Sequence, residues 1–304
     1  MMISRREVLA AGVGFAAASA IPARAAGAAG PLVDVKWLKD NLGSPGLVIL
    51  DVTSVQFYGR GHVPGAVFAP YGSWREKRGE VSGLLPGAEK LAALIGGYGV
   101  GNGDHVVVVP AGFSDGDVGM ATRVYWTLKT AGHDKVSILD GGTRAWVAAG
   151  MKAESKANEP APKQFAVKMN DSWLATADDV RKALKAGKPQ IIDNRPLGQH
   201  VGVTKSGSVA KYGAIPGSIH IPEAWMVHKG KFRPPRQLAR IFSLSGVGQG
   251  ETIHTCNTGH RATLGWFARS QILGLPARLY DASMAEWSRL PDAPVEVKMD
   301  IHGG

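Results

Sequence analysis

The fold is decided by residues 252–267, which read TIHTCNTGHRATLGWF. A short strand-like run, Thr252–Thr255, enters a loop at residues 256–261, and a helix-compatible run begins at Ala262. A strand, a loop and a helix in this order form half of a βαβ unit, whose loops meet at the carboxyl ends of parallel strands. The sequence therefore predicts an α/β fold with a ligand site at this loop.

Cys256, the first residue of the loop, is the only cysteine of the 304-residue chain. Converging backbone amides and a nearby cation favour a thiolate, Gly259 permits a tight turn, and Arg261 adds a permanent positive charge. The alternative is a buried cysteine that acts as a small hydrophobic side chain. Since the polar residues 257–261 make a poor core strand, we interpret Cys256 as a nucleophile.

The loop belongs to the second of two sequence repeats. Two segments of the first repeat recur in the second, LVILDV (47–52) as QIIDNR (190–195) and GHVPGAV (61–67) as GAIPGSI (213–219). Short apolar runs that end in aspartate, here Asp51 and Asp193, are typical of buried parallel strands whose carboxyl ends face a site. The second repeat carries about ten extra residues near 201–212, which either gate the site or form a plain surface insertion.

Further along the chain, the repeats keep a constant offset of 141 residues. The matched segments are DGGTRAW (140–146) with DASMAEW (281–287), and Ala121-Thr122 with Ala262-Thr263. At this offset Cys256 falls on Asp115, which indicates that the first repeat lacks the nucleophile and has a structural, substrate-lining role. Trp146 and Trp287 are predicted core anchors because they close the two repeats at equivalent positions.

Both repeats predict an α/β fold with a parallel sheet flanked by helices in each of two domains. The predicted strands around the loops are 106–109, 136–139, 252–255 and 277–280, and the predicted helices are 118–131 and 262–273. We place the domains at residues 31–150 and 165–295. A linker rich in Lys, Glu, Ala and Pro joins them at residues 151–164.

Residues 1–25 are predicted to be an export signal. Ser4-Arg5-Arg6-Glu7-Val8-Leu9 carries the twin arginine of a Tat signal, an apolar run follows at 10–21, and Ala23-Arg24-Ala25 is a small-residue cleavage site. The apolar run is too short to span a bilayer comfortably. We therefore expect cleavage, a periplasmic protein and no stable membrane anchor after cleavage.

The chain has a net charge of +10. Nucleic-acid binding predicts a stripe of Lys and Arg with aromatic residues between them, and the positive charge here is instead spread along the chain. The charge therefore favours attraction of small anions and argues against a nucleic-acid partner.

Taken in order, and twice, these motifs resemble those of a tandem-domain rhodanese, of the thiosulfate/3-mercaptopyruvate sulfurtransferase family. The resemblance covers essentially all of the chain after the signal, and its motifs are Asp51 and Asp193 at the strand ends, the segments at 61–66 and 213–218, Leu139-Asp140-Gly141-Gly142 and the Cys-x-x-Gly-x-Arg loop at 256–261. It implies two rhodanese-like domains, of which the C-terminal copy is catalytic and the N-terminal copy has an acidic residue, Asp115, in place of the cysteine.

The resemblance also implies a two-step reaction. Cys256 attacks the outer sulfur of a donor such as thiosulfate, carries this sulfur as a persulfide, and passes it to cyanide, a thiol or an acceptor protein. The implied substrate-binding residues are Asn257, Thr258, Gly259, His260 and Arg261 of the loop, together with Gln199. Asp193 and Arg195 are implied to support them, with Asp193 accepting amide hydrogen bonds from the loop. No metal and no organic cofactor is expected.

Two residues depart from the family pattern and leave the donor open. Gln199 stands where thiosulfate-type and mercaptopyruvate-type members carry arginine, and Thr258 stands where thiosulfate-type loops carry lysine. Mercaptopyruvate-type loops have small polar residues but end without an arginine such as Arg261. Arg261 either contacts the substrate or is tied to its own backbone.

We expect different roles for the two histidines near the cysteine. His254 lies in the strand before the loop, and we favour a structural role for it over a role in proton transfer. For His260, inside the loop, a structural role and a role in tuning the thiolate both stay open.

Three other classes of function compete with sulfur transfer. A cysteine phosphatase needs five residues between Cys and Arg to enclose phosphate, whereas this loop has four. A Cys/His hydrolase is disfavoured because no separate His and Asn/Asp pair stands out. A persulfide carrier or docking module, which receives sulfur from a partner protein without turning over small donors, remains an alternative.

Overall fold

The structure, a computed structural model, describes residues 29–301. The predicted export signal at residues 1–25 lies outside this range. Within residues 29–301 no helix is both long and apolar enough to cross a membrane.

A five-stranded parallel sheet forms the centre of the N-terminal domain, with strand order β1-β7-β6-β2-β3. The strands in chain order are β1 (Leu32–Val33), β2 (Leu47–Asp51), β3 (Val67–Phe68), the antiparallel hairpin β4 (Glu76–Arg78) and β5 (Val81–Leu84), β6 (His105–Val109) and β7 (Val136–Leu139). The helices are α1 (Val35–Asn41), α2 (Val55–Arg60), α3 (Ala88–Gly97), α4 (Asp115–Thr130) and α5 (Gly142–Ala148). A 3₁₀ turn at Tyr71–Trp74 precedes the hairpin.

The C-terminal domain repeats this topology, with strand order β10-β9-β13-β14-β8, again all parallel. Its strands are β8 (Leu174–Ala175), β9 (Gln190–Asp193), β10 (Ile219–His220), the antiparallel hairpin β11 (Val227–His228) and β12 (Lys231–Phe232), β13 (Thr252–Thr255) and β14 (Ala277–Tyr280). The helices are α6 (Ala177–Ala186), α7 (Leu197–Val201), α8 (Pro235–Leu244), α9 (Ala262–Phe267) and α10 (Ser283–Trp287). The predicted architecture of two parallel sheets flanked by helices is confirmed.

The helices after the two critical loops differ from their predicted bounds. The predicted helix 118–131 begins earlier, at Asp115, because Ser114 and Asp117 form a capping box there. The predicted helix 262–273 is α-helical only to Phe267 and continues as a π-helix at Ala268–Ile272.

The spatial counterpart of Cys256 in the first repeat is Pro110. Met284 N donates to the Cys256 carbonyl just as Thr143 N donates to the Pro110 carbonyl. The offset between the repeats is 146 residues in the strands before the loops and 141 in the helices after them. The prediction that Asp115 takes the place of the cysteine is therefore wrong, since extra residues in the first repeat extend α4 and move Asp115 to its first turn.

The extra residues of the second repeat pack beside α10. Ala210 N donates to Ser288 Oγ at 2.9 Å, and Arg289 donates to the Ser208 carbonyl at 2.7 Å. These contacts lie at the far end of α10 from the cysteine loop. They fit the surface-insertion alternative better than the gate.

The two domains share one hydrophobic core through α4 and α9. Thr122 and Thr263, related by the repeat offset, join their hydroxyl groups at 2.7 Å across this interface. The Tyr125 ring meets the Phe267 ring edge-on with centroids 4.9 Å apart. Such a mixed core holds the domains together, because each buried large apolar side chain contributes roughly 2 kcal/mol.

Trp146 and Trp287 are buried, as predicted, with exposed fractions of 2% and 0%. Each indole Nε1 donates to a backbone carbonyl, that of Lys152 for Trp146 and that of Pro294 for Trp287. A buried tryptophan whose N–H group is satisfied stabilises the packing on both counts.

Candidate active site

Cys256 lies immediately after β13, at the carboxyl end of the central strand of the C-terminal sheet, and only 1% of it is exposed. Ser283 holds its loop in place: Ser283 Oγ accepts the amides of Cys256 at 3.1 Å and Gly259 at 3.2 Å, and donates to the Tyr280 carbonyl. Ser283 adopts a φ of +50°, a conformation that non-glycine residues rarely take. Backbone strain at this position is consistent with a functional requirement for the hydroxyl.

The loop leaves several backbone amides without a partner. Among residues 29–301, no oxygen accepts a hydrogen bond from the amides of Asn257, Thr258, His260 or Arg261. Converging free amides form a concave site that suits an anion. The loop therefore offers donors to a thiolate or to an anion that reacts with it.

Gly259 is required by the turn. Its φ is +64°, and a Cβ atom there would collide with the Arg123 guanidinium and the Asp281 carbonyl. The sequence expectation that Gly259 closes the loop without a side-chain clash is thus met by the geometry.

Two arginines of the N-terminal domain reach the loop. Arg75 donates to both the carbonyl and the hydroxyl of Thr258, at 2.9 and 2.8 Å. Arg123, fully buried on α4, donates to the Gly259 carbonyl at 3.0 Å and lies 3.4 Å from Asp281 Oδ2. The site is therefore built by both domains.

His260 points across the interface into the N-terminal domain. Its Nδ1 accepts from the Tyr71 hydroxyl at 2.6 Å, and its ring also hydrogen-bonds the Gly116 carbonyl. Burial, and after it the charges of Arg75 and Arg123, lower the pKa of His260 to about 3. The imidazole is neutral at neutral pH and both of its nitrogens are engaged, which favours the structural role.

Arg261 and Gln199 are each held by a neighbour. Arg261 forms an ion pair with Glu223, a carboxylate that is 3% exposed. Gln199 Oε1 accepts from Asn257 Nδ2 at 2.9 Å. Both side chains therefore lie at the loop, each bonded to a protein group, and the positive charge of Arg261 is compensated.

Asp193 holds Arg195 rather than the loop. Its carboxylate accepts from the Arg195 amide and guanidinium and from His200 Nδ1. Burial alone would raise the pKa of Asp193, but the His200 hydrogen bond and the Arg195 charge hold it well below its usual range. Within residues 29–301 it accepts no amide from the loop, so the expectation that it orients the loop in this way is wrong.

His254 is a satisfied core residue. Its Nδ1 donates to Asn194 Oδ1 at 2.9 Å, and Nε2 lies 3.2 Å from Thr252 Oγ1. Burial, with a smaller effect of the Arg269 charge, lowers its pKa to about 3. The structural role favoured from the sequence agrees with these contacts.

Comparison with known proteins places this site in a family. A model described as a rhodanese-like domain matches residues 34–149 and 176–290. The chain belongs to the rhodanese family. Human 3-mercaptopyruvate sulfurtransferase is 30% identical over 277 residues, covering 89% of each chain, and mouse thiosulfate sulfurtransferase is 30% identical over 287 residues, covering 88% of this chain and 94% of its own.

The rhodanese fold is also seen in a solved relative. The crystal structure of SseA, a 3-mercaptopyruvate sulfotransferase from Escherichia coli, is 28% identical, with a TM-score of 0.75 over 84% of this chain and 99% of that one. This rhodanese therefore has relatives named for two different donors at nearly equal identity.

Sequence reasoning missed the residues that other segments bring to the rhodanese loop: Tyr71, Arg75, Arg123, Glu223 and Ser283. One signal was present, because the repeat offset pairs Ser283 with Gly142, whose φ is +58°. A serine in place of a left-handed glycine marks a position where the side chain is needed. The residues of the N-terminal domain gave no such signal, since only the packing of α4 on α9 brings them near the loop.

Within residues 29–301, no group of His, Cys, Asp and Glu side chains is arranged to hold a metal ion. The polar groups around Cys256 are amides, hydroxyls and arginines. This set suits an anion rather than a cation.

Proposed function

We propose that this rhodanese is a sulfurtransferase in which Cys256 carries sulfane sulfur as a persulfide. The observation that carries the proposal is a lone cysteine at the carboxyl end of the central strand, in a loop with four amides that find no partner within residues 29–301. A thiolate and a persulfide anion are both stabilised by such donors.

The chemistry balances without a cofactor. The Cys256 thiolate attacks the outer sulfur of thiosulfate, a new S–S bond forms, the original S–S bond breaks, and sulfite leaves with the bonding pair. Cyanide or a thiolate then attacks the outer sulfur of the persulfide, and the Cys256 thiolate leaves. Charge is conserved in both steps, and no oxidant or reductant is consumed.

Burial of the cysteine supports turnover of small donors. With only 1% of Cys256 exposed, its sulfur is easier to reach for a small anion than for a residue on the surface of a protein donor. The persulfide extends the reactive sulfur by about 2 Å, the length of an S–S bond. We therefore favour small-donor turnover over a carrier that is loaded only by a partner, with a thiol or protein acceptor in the second step.

Thiosulfate is the donor we propose first, and 3-mercaptopyruvate is the second candidate. The second is favoured by Thr258, which stands where thiosulfate-type loops carry lysine, whereas Gln199 replaces an arginine of both types and favours neither donor. The roles of residues 257–261 in binding the donor, and the domain bounds 31–150 and 165–295, are also part of this proposal.

A donor panel tests the function. Purified protein and the Cys256→Ala variant are given thiosulfate or 3-mercaptopyruvate with cyanide, and thiocyanate is measured. We expect turnover with at least one donor, and a fall to the uncatalysed rate in the variant. Full activity of Cys256→Ala would refute the assignment, and loading only by a partner persulfide would replace the enzyme with a carrier.

We further propose export by the Tat pathway to the periplasm. The proposal rests on the twin arginine at Arg5 and Arg6, the apolar run after it and the cleavage site near Ala25. Arg5→Lys/Arg6→Lys expressed in a Tat-competent bacterium should remain in the cytoplasm, whereas the parent should appear in the periplasm in a shortened form. Export of the double lysine variant at the parental level would contradict the proposal.

A further inference from the structure

The cations near the loop differ in whether a carboxylate compensates them. Arg261 is paired with Glu223, and Arg123 lies 3.4 Å from Asp281 Oδ2. Arg75 has no carboxylate within ion-pair distance among residues 29–301, and its bonds to Thr258 are to neutral oxygens. Arg75 is therefore the uncompensated charge at the site.

Arg75 also retains an unused donor. Its Nε is buried and has no hydrogen-bond partner, although NH2 makes two bonds to Thr258. A buried donor without an acceptor costs free energy comparable to a lost hydrogen bond. An oxyanion beside the guanidinium would satisfy this donor and neutralise the charge together.

The chain makes room for this arginine with a glycine. Gly83, on β5 of the same hairpin, has a φ of +86°, and a Cβ there would strike the Arg75 guanidinium and lie 2.7 Å from the Thr258 carbonyl. Any other residue at position 83 would displace Arg75 from the loop. The hairpin is thus shaped to deliver the guanidinium.

Arg75 is near enough to the cysteine to act on its reactants. The Arg75 guanidinium lies 5.2 Å from the centroid of the Tyr71 ring, and the Tyr71 hydroxyl hydrogen-bonds His260 of the cysteine loop. Thr258, which Arg75 contacts directly, is two residues from Cys256. A charge at this place attracts anions towards the sulfur.

We propose that Arg75 of the N-terminal domain binds the oxyanion end of the sulfur donor, so that the catalytic site contains a residue from each domain. The ligand is a small anion whose sulfonate or carboxylate group lies next to the transferable sulfur. This inference rests on the proposed function for its substrate, but the binding of small anions beside Cys256 is tested without turnover.

Alkylation of Cys256 provides that test, because the chain has a single cysteine and intact mass reports on it alone. Iodoacetate and iodoacetamide are nearly equal in size, but only the first is an anion. In both reactions the thiolate displaces iodide. We expect the rate ratio of iodoacetate to iodoacetamide to fall about tenfold in Arg75→Met, because a hydrogen bond to a charged group is lost with the charge.

Three variants make the result specific to the Arg75 charge. Arg75→Lys should restore part of the ratio, and Gly83→Ala, which displaces the guanidinium, should lower it. Arg78→Met is the matched control, since Arg78 lies in the same hairpin and is already paired with Glu76 at 2.9 Å; its ratio should equal that of the parent. An unchanged ratio in Arg75→Met, or an equal slowing with both reagents, would overturn the proposal.

The donor is then identified by kinetics. In Arg75→Met, the KM for the physiological class of donor should rise about tenfold, and comparing thiosulfate with 3-mercaptopyruvate separates the sulfonate from the carboxylate. A lowered alkylation ratio in a protein that turns over no donor would leave Arg75 as an anion site and refute the proposed function. Normal donor turnover together with an unchanged alkylation ratio in Arg75→Met would support the proposed function and refute the role of Arg75 as an anion site.

Discussion

In the N-terminal domain, the carboxylate of Asp117 accepts the amides of Phe113 and Ser114 at 3.0 Å each, and Ser114 Oγ accepts the amide of Asp117. In the C-terminal domain, the corresponding helix begins at Ala262 without any side-chain cap, and four amides of the loop before it, those of residues 257, 258, 260 and 261, have no partner among residues 29–301. The first repeat thus supplies its own anion to the backbone. The second keeps its donors open for a sulfur anion.

The two loops also differ in how far other parts of the protein cover them. At the first loop, Asp51, Phe57 and Phe113 line an open, mostly apolar cavity of about 630 Å³. At the second, Cys256 is closed in by the N-terminal domain through Arg75 and the Tyr71–His260 pair. The second loop therefore differs from the first in its cysteine, in its unfilled amides and in the partner domain that covers it.

The largest effect should come from giving the active loop an anion of its own. Thr258→Asp places a carboxylate beside the Arg75 guanidinium and the free amides, where it competes with the donor and repels the thiolate. We expect sulfur transfer to fall about a hundredfold, with the free energy of unfolding little changed. The control Thr258→Asn is neutral and should retain most of the activity. If Thr258→Asp also retained most of its activity, the open amides would not explain why only the second repeat is active.

Gly259→Ala should damage the active loop through its backbone. The added Cβ meets Arg123 and Asp281, and the φ of +64° becomes strained. We expect a loss of about 3 kcal/mol in the free energy of unfolding, measured by urea denaturation. Gly116→Ala serves as a control glycine change in the first repeat, where the Cβ meets only Ser114 Oγ at 3.5 Å, and it should be tolerated.

The pH dependence of stability should trace the neutral histidines of the second repeat. The pKa of His254 is about 3 in the folded protein and 6.5 as the ordinary value, so the unfolded chain binds more protons below pH 6.5. Stability is present above this pH and falls as the pH is lowered towards 3, by about 1.4 kcal/mol per pH unit for this group.

His254→Val installs the residue of the first repeat, since Val108 occupies the equivalent strand position. The variant should be less stable at pH 7, because Asn194 loses a buried partner, and its stability should fall less steeply between about pH 6 and pH 4. Denaturation at three pH values measures both effects. Parallel pH profiles for parent and variant would mean that His254 is not held neutral.

The smallest effect should come from the cap of the first repeat. Asp117→Thr removes the carboxylate that accepts two amides, and we expect a loss of about 1 kcal/mol in the free energy of unfolding. Sulfur transfer should be unchanged, because this loop carries no nucleophile. A loss of activity larger than the loss of stability would show that the first loop also acts in the reaction.

The sequence was sufficient for the two-domain fold, because parallel strands and the helices between them leave local periodicities that recur in both repeats. It also placed Cys256 and Gly259 in the loop after a strand and predicted that the two repeat-equivalent tryptophans are buried. The sequence misplaced Asp115, because the offset of 141 residues between the repeats does not hold before the loop, in which the first repeat is longer. The register between paired strands gives the correct equivalence of the two repeats, and it is visible only in the three-dimensional structure.

The partners of the loop could not be predicted in the same way. Arg75 and Tyr71 come from a different domain, and Glu223 from a different element of the same domain. Their contacts depend on how α4 packs on α9, which no local pattern encodes. The structure does bring Gln199 beside residues 257–261. The loop motif, however, does not predict that Glu223 neutralises the charge of Arg261.

The central claim is that Cys256 carries sulfur between donor and acceptor. The direct measurement is intact mass of the protein after one equivalent of donor, with the released sulfite or pyruvate quantified in the same sample. We predict a mass increase of one sulfur atom on the only cysteine, an equal amount of released product, and complete reversal by cyanide with formation of thiocyanate. Product release without added mass on Cys256, or an adduct that cyanide does not remove, would contradict the account.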